Sequence, residues 1–255
     1  MIMFNKERLA KIVEIVNGRR RVTVSELSRM LNVSKSCIRK DLAKLNRENL
    51  IERAYGGALA KEPVRSEHNL HQKEEENIPE KERVAGAAAR LIQDGDTIWL
   101  DGGSTTTFIA RKMKRLRNVT VVTNSFSVAY ELADAPDIEV IIIGGALRKV
   151  SLSLIGPMSE KVISEINVDK AFIGVDGVTV KEGCTTTNAM DAKIKKMIME
   201  KAKEIIVVAD RSKFGKVSFV SFAGIKDIDR LIIDSINEYD KKQIEKLKVM
   251  VIIAD

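Results

Sequence analysis

The chain has 255 residues, enough for one large domain or for a small one and a medium one, and its formal charge is +7. That charge is unevenly placed: residues 1–61 hold 14 Lys and Arg against 6 Asp and Glu, whereas residues 62–255 hold 29 against 30. Positive excess confined to the first quarter is the electrostatic footprint of a nucleic-acid module joined to a neutral globular domain. Two cysteines, Cys37 and Cys184, supply neither a disulfide framework nor metal-ligand spacing. No apolar run approaches the roughly 20 residues of a membrane span, and charges interrupt any signal-peptide core at the N-terminus. A cytoplasmic protein without membrane anchor, metal or cofactor is expected.

Leu9, Ile12, Val13 and Val16 mark a first helix ending at Asn17-Gly18, since Gly suits the left-handed position after a helix. The basic segment Arg19-Arg20-Arg21 leads into TVSELSRMLNVS, where Ser25 or Thr23 can cap a second helix with Leu27, Met30 and Leu31 facing inward. After a break at Asn32-Val33, Ser34 is a natural N-cap for SKSCIRKDLAKL, in which Ile38, Leu42 and Leu45 form a helical stripe. The opposite face carries Lys35, Ser36, Arg39 and Lys40. Two short helices so tightly connected, the second basic, predict a helix-turn-helix whose second helix enters the major groove.

From Leu50 to Tyr55 the residues alternate and then meet Gly56-Gly57, a hairpin signal. Such a hairpin would be a wing along the phosphate backbone, with Arg53 placed for phosphate and Tyr55 for sugar. The expected DNA contacts are thus Ser34, Lys35, Ser36, Arg39, Lys40, Arg53 and Tyr55. The plainer alternative is a three-helix packing module whose basic residues are only solvated; the charge asymmetry and the wing both count against it.

The stretch VSELSRMLNVSKSCIRKDLAKLNRENLIERAYGGAL resembles the DNA-binding signature of the DeoR family of bacterial transcriptional regulators. That signature has a Ser-x-x-Thr-Ile-Arg-Arg-Asp-Leu recognition helix and an Arg-x-x-Gly-Gly-Ala wing. Cys37 replaces the usual Thr, losing a hydroxyl that could reach phosphate, and Lys40 replaces the second Arg, keeping charge but losing the bidentate fork. Cys37 is expected at the DNA face or, alternatively, as a half-buried inert thiol.

Residues 1–60 are therefore read as a winged helix-turn-helix domain. Residues 61–78, KEPVRSEHNLHQKEEENI, hold few apolar residues, a Pro and a Glu run, and predict a mobile or weakly structured connector. His68 and His71 lie there with no further ligand cluster, so solvated histidines are expected rather than a metal pair.

Residues 79–255 read as a second domain. Helices are predicted over 80–92, 126–134 and 188–203, and strands over 96–100, 119–123, 138–143, 170–175, 204–209 and 230–234. Near-continuous apolar strands separated by helices predict an α/β domain with a mostly parallel sheet covered on both faces. In such sheets ligands bind at the carboxyl ends of the strands, where polar residues collect here: Asp101 to Thr107, Thr123 to Ser125, Gly144-Gly145, Asp176-Gly177 and Asp210. Gly102-Gly103-Ser104-Thr105-Thr106 opens a helix, so backbone N–H groups, three hydroxyls and the positive dipole end converge on one point. That arrangement is an anion site, most simply for phosphate. It is neither a Walker loop nor a dinucleotide fingerprint; the bland alternative is a Gly-rich turn with Ser104 capping the helix. The closing run KVMVIIAD predicts a last strand that joins the sheet or an oligomer partner.

The stretches DGDTIWLDGGSTT, VVTNSFSVA, IIIGGALRKVSLSLIG, KAFIGVDGV, NAMDAKIKKMIMEKA and VVADRSKFG resemble the C-terminal effector domain of the same family, itself similar to ribose-5-phosphate isomerase and glucosamine-6-phosphate deaminase. The resemblance implies that Gly102, Gly103, Ser104, Thr105 and Thr106 hold the phosphate of a sugar phosphate. It further implies that Asp101, Asn124, Asp176 and Lys213 line the sugar, and that Asp191 and Lys195 face the same cleft, with Asp191 where the family has Glu. On their spacing alone, Asp191 and Lys195 could equally form a surface i, i+4 pair.

The function so implied is a homo-oligomeric repressor of a sugar or carbohydrate operon that binds double-stranded operator DNA and is relieved by a phosphorylated sugar. An alternative is an isomerase- or deaminase-like enzyme with a DNA-binding appendage, using an acid and a base beside C1 and C2 of the sugar. Asp176, Asp191 and Lys195 are suitable residue types. However, residues 79–255 contain no His, and the acidic Asp-Glu pair of the isomerase is missing at Asp176-Gly177; a non-enzyme is expected. A third reading, a nucleoid-type binder without sequence choice, would use Arg39 and Lys40 for phosphate alone.

Overall fold

The computed structural model describes residues 5–19, 21–48, 50–54, 56–60 and 67–255, and the chain divides into two compact units, Met1–Pro63 and Val64–Asp255. The first unit contains α1 (Asn5–Arg19), β1 (Arg21–Thr23), α2 (Val24–Leu31), α3 (Lys35–Arg47), β2 (Ile51–Ala54) and β3 (Gly57–Ala60). Thr23, not Ser25, caps α2: its hydroxyl accepts from Glu26 N at 3.2 Å while the Glu26 carboxylate accepts from Thr23 N at 2.7 Å. This reciprocal box satisfies two orphan donors at once. Asn32, at φ 51°, ends α2 in the left-handed region that Asn tolerates, and Ser34 then caps α3 by accepting from Cys37 N at 3.3 Å.

Ile38, Leu42 and Leu45 are buried together with Leu9, Ile12, Val16 and Leu27 in one small core. Met30 was expected inward but is 45% exposed. The inward stripe of α2 runs Val24, Leu27, Leu31, and one residue before Leu31 is turned about 100° away from it. The wing strands β2 and β3 pair antiparallel, and the unanticipated β1 adds a third strand in the order β1-β3-β2. Gly57 makes this packing possible, because a Cβ there would fall 2.2 Å from the Val22 carbonyl oxygen. Tyr55 lies outside the described residues.

The second unit runs α4 (Leu70–Glu75), α5 (Ile78–Ala89), β4 (Thr97–Leu100), α6 (Ser104–Met113), β5 (Val119–Thr123), α7 (Phe126–Leu132), β6 (Ile138–Ile142), β7 (Ala146–Arg148) and β8 (Ser153–Ile155). It continues with α8 (Pro157–Glu165), β9 (Val168–Gly174), β10 (Gly177–Thr179), β11 (Gly183–Thr186), α9 (Ala189–Met199), β12 (Ala202–Ala209), β13 (Val220–Ala223), β14 (Arg230–Ile233), α10 (Glu238–Glu245) and β15 (Met250–Ile253). Seven strands form one parallel sheet in the order β15-β14-β12-β9-β4-β5-β6.

Alternate residues of the central strands feed two cores. Trp99, Ile173 and Val207 pack on one face, and Ile98, Leu100, Phe172 and Val208 on the other. The closing run joins the sheet as β15 beside β14. The predicted helix over 188–203 stops at Met199, because Ala202 already pairs with Val168 of β9. A β7-β8 hairpin and an antiparallel β10-β11-β13 sheet, neither anticipated, flank the main sheet.

The expected loose connector is corrected over its second half. Leu70–Glu75 form a helix capped reciprocally by Asn69 and Gln72; Leu70 is buried, and its N–H donates to Val150 O at 2.8 Å. One apolar anchor and paired charges are enough to order a segment whose composition reads as solvated.

Candidate functional site

The chain leaves β4, builds β5 and β6 outward on one flank, and returns as β9 on the other. This reversal opens a crevice at the carboxyl ends of β4 and β9, the position where open α/β sheets bind ligands. One cleft there is lined by Asp101, Gly102, Gly103, Ser104, Thr105, Thr106, Asn124, Asp176, Asp191, Lys195 and Lys213, so the structure brings together every residue of the expected effector set.

Asp101 follows β4 directly and is buried, as is Lys195 of α9. The Lys195 ammonium donates to Asp101 Oδ2 and to Gly174 O (2.9 Å), and Gly174 N donates to Asp101 Oδ2 at 3.2 Å. Burial pushes the Lys195 pKa down, but the charge and hydrogen bond of Asp101, with Asp191 and Asp176 behind, raise it above the ordinary lysine value. Asp191 does not pair with Lys195. It accepts from Ser153 Oγ at 3.1 Å and lies 3.4 Å from Arg148 Nη1, which removes the surface-pair reading. Burial lifts the Asp191 carboxyl above its usual range, against the pull of Lys195 and Arg148.

Asp176, two residues beyond β9, accepts from Lys73 Nζ (2.7 Å), Thr186 Oγ1 (2.8 Å) and Thr187 N (3.2 Å). Burial alone would raise its pKa; the charge and hydrogen bond of Lys73, helped by Lys195 and Thr186, overcome this and hold the carboxyl well below the usual range.

The loop at the mouth of α6 removes the bland alternative of a Ser104 cap and departs from the three-hydroxyl expectation only at Thr106. Gly103 is the N-cap and no side chain caps the helix, so Ser104 is not a capping residue and the first-turn amides lack intrahelical acceptors. Thr106, fully buried, donates its hydroxyl to Asp101 O (2.6 Å) and Gly103 O (2.8 Å). Its hydroxyl closes the turn, leaving those of Ser104 and Thr105 for a guest. Gly102 keeps the cleft open, since a Cβ there would lie 3.1 Å from Ser153 Cβ. Asn124, buried beside it, donates to Leu154 O at 3.4 Å, and its Oδ1 has no partner among the described residues.

Four charged residues escaped the sequence reading. Lys73 and Glu67 come from the expected connector, and Arg148 of β7 is bound to Glu67 through two contacts, one of them Nη1 to Oε1 at 2.6 Å. Lys81 of α5 is buried and donates to the carbonyls of Lys73 and Glu76 at the end of α4; desolvation lowers its pKa. Only Arg148 carried a sequence signal, lying just beyond Gly144-Gly145. His68 Nδ1 sits 3.1 Å from Glu76 Oε1, and among the described residues no three potential ligands gather around a metal position.

In the first unit the N-cap Ser34 is exposed, as are Lys35, Ser36, Arg39 and Lys40 on α3 and Arg53 on β2. The helix is fixed from behind: Arg8 of α1 donates to the buried Asp41 from Nε (2.7 Å) and Nη2 (3.2 Å). Cys37 is half-buried with its Sγ 3.8 Å from the same carboxylate, so it belongs to this inner seam and not to the open basic face.

Two family models match the chain: a DeoR-like helix-turn-helix domain over residues 8–64 and a DeoR C terminal sensor domain over residues 76–235. The HTH-type transcriptional regulator YulB of Bacillus subtilis is 38% identical over 98% of this chain and 96% of its own length. The HTH-type transcriptional repressor GlcR of the same organism is 34% identical over 91% of this chain and 89% of its own. Ribose 5-phosphate isomerase A of Methanocaldococcus jannaschii aligns at 23% identity over 54% of this chain and 55% of that one, with a TM-score of 0.41, a partial likeness that says nothing of the cleft's chemistry. Among the described residues no helix is long and apolar enough to cross a membrane.

Proposed function

Since this chain belongs to the DeoR family of HTH-type transcriptional regulators, we propose that it is a cytoplasmic, homo-oligomeric repressor of a carbohydrate operon, relieved when a phosphorylated sugar fills the cleft of its sensor domain. In this reading α3 enters the major groove of operator DNA, with Arg39 and Lys40 at base edges or phosphates and Ser34, Lys35 and Ser36 at its leading end. Arg53 and Tyr55 of the wing follow the backbone.

The observation that carries the sensor half is the convergence of the open first turn of α6 with Asn124, Asp176 and Lys195 at the switch point of the sheet. The amides of residues 103–106 and the Ser104 and Thr105 hydroxyls suit a phosphate. The unpaired Asn124 Oδ1 and the Asp176 carboxylate suit the hydroxyls of a sugar. Against turnover, Lys195 is locked onto Asp101 and Asp176 is held ionised by several donors, which leaves neither free to shuttle a proton. Relief of repression follows if the ligand prefers an arrangement of the oligomer whose reading heads no longer match operator spacing.

A thermal-shift panel of phosphorylated sugars, read beside gel shifts on DNA upstream of the gene, tests this. A ligand at a hundred times its Kd stabilises the native state by about 2.7 kcal/mol, and the same compound should release the operator. Equal shifts from the unphosphorylated sugars, or steady turnover of a sugar phosphate by the pure protein, would overturn the reading.

A further inference from the structure

The segment that precedes α5 is a wall of the cleft, not a tether beside it. Glu67, Leu70 and Lys73 all line the cavity. They are held by the Glu67–Arg148 pair, by Leu70 N to Val150 O at 2.8 Å, by Lys73 Nζ to Asp176 at 2.7 Å, and by Lys81 on the last carbonyls of α4. Glu74 also reaches Arg111 of α6 at 3.9 Å, so α4 lies against the helix whose first turn faces the cleft.

Three lysines line this cavity, and two of them, Lys195 and Lys73, are tied to carboxylates in different ways. Lys195 is buried and spends its protons on Asp101 and Gly174 O. Lys73 stands on a six-residue helix, is 20% exposed at its side chain, and among the described residues its ammonium bonds Asp176 alone. A phosphate dianion arriving at residues 103–106 brings new negative charge into the cavity that Asp176 already occupies. Lys73, less buried than Lys195 and at the end of a flexible four-carbon stem, is a cation able to answer it.

We propose that Lys73 is an effector-binding residue that exchanges Asp176 for the phosphate of the ligand, so that filling the cleft and re-seating the connector helix are one event. This inference rests on the cleft being a site for a phosphorylated ligand. In sequence, α4 belongs to the stretch of chain that follows the reading head.

The full chain is titrated with inorganic phosphate by calorimetry and followed by hydrogen exchange. Phosphate should slow exchange of the 103–106 amides and, in the same titration, alter exchange over 69–76. Lys73→Met should weaken phosphate binding about tenfold, the scale of a charge-assisted hydrogen bond, and Lys73→Arg should recover most of the loss. Asp176→Asn should tighten phosphate severalfold by freeing Lys73, an effect opposite in sign to any general damage, and it decides the matter even if Lys73→Met does not fold. Protection at 103–106 with 69–76 unchanged and with wild-type affinity in Lys73→Met would overturn the inference while leaving the phosphate site standing. No protection at 103–106 would remove both.

Discussion

Lys195 and Asp101, 94 residues apart in sequence, meet beneath the floor of the cleft with both side chains almost wholly buried. The pair joins α9 to the end of β4, and Gly174 of β9 binds both partners. A buried pair of this kind holds its surroundings in register, and losing one partner strands the other charge out of water.

Lys195→Met should therefore destabilise the second unit by about 3–5 kcal/mol, measured by urea unfolding, because Asp101 is left uncompensated. Lys195→Met combined with Asp101→Asn should lose less than the sum of the single changes. Strict additivity would mean that the two groups do not support one another.

The loop at residues 102–106 makes a paired prediction. Thr106→Val removes the hydroxyl bound to Asp101 O and Gly103 O and should cost about 1 kcal/mol of stability. Ser104→Ala removes a hydroxyl that does not cap α6 and has no hydrogen-bond partner among the described residues; it should leave the melting temperature unchanged and weaken phosphate binding. Reversed outcomes in melting and phosphate titration would show that the roles of the two hydroxyls are exchanged.

Asp176 sets an acid dependence. Its carboxyl is held below the usual range in the folded chain: burial opposes this, and Lys73 with its neighbours prevails. The stabilisation is thus fully present above the unfolded carboxylate pKa of about 3.9 and is lost as pH falls through the lower folded value. Below pH about 4, wild type should lose stability more steeply than Asp176→Asn. Urea midpoints across that range check the sign, and parallel curves would count against it.

On the reading head, Arg39→Ala should weaken binding to the true operator by about tenfold to a hundredfold if the guanidinium reads a base edge. Gel shifts on scrambled DNA should then change far less. Equal loss on both sequences would make Arg39 a phosphate contact and favour binding without sequence choice.

Much of this architecture was legible because its signals are local. Ser34 with Ile38, Leu42 and Leu45 announces its helix within twelve residues, and the Gly-rich turn after the apolar strand 97–100 announces the cleft. What escaped reading depends on distance or on short polar elements. Lys73 and Asp176 are 103 positions apart, and Glu67 and Arg148 are 81 apart; nothing in a glutamate-rich stretch says that its charges are paired rather than hydrated. The strands β7, β8, β10 and β11 are three or four residues long, too short for alternation to register. Met30 was misplaced by one residue of helical phase, and Thr106 by counting hydroxyls without asking which carbonyls they would serve.

The chain contains a single tryptophan, and it is Trp99, fully buried in β4 two residues before Asp101. Its indole emission is consequently a witness to one half of the molecule. A fluorescence melt will follow the sheet and stay silent while the reading head comes apart, so the two halves can be timed separately once a second probe is placed on the head.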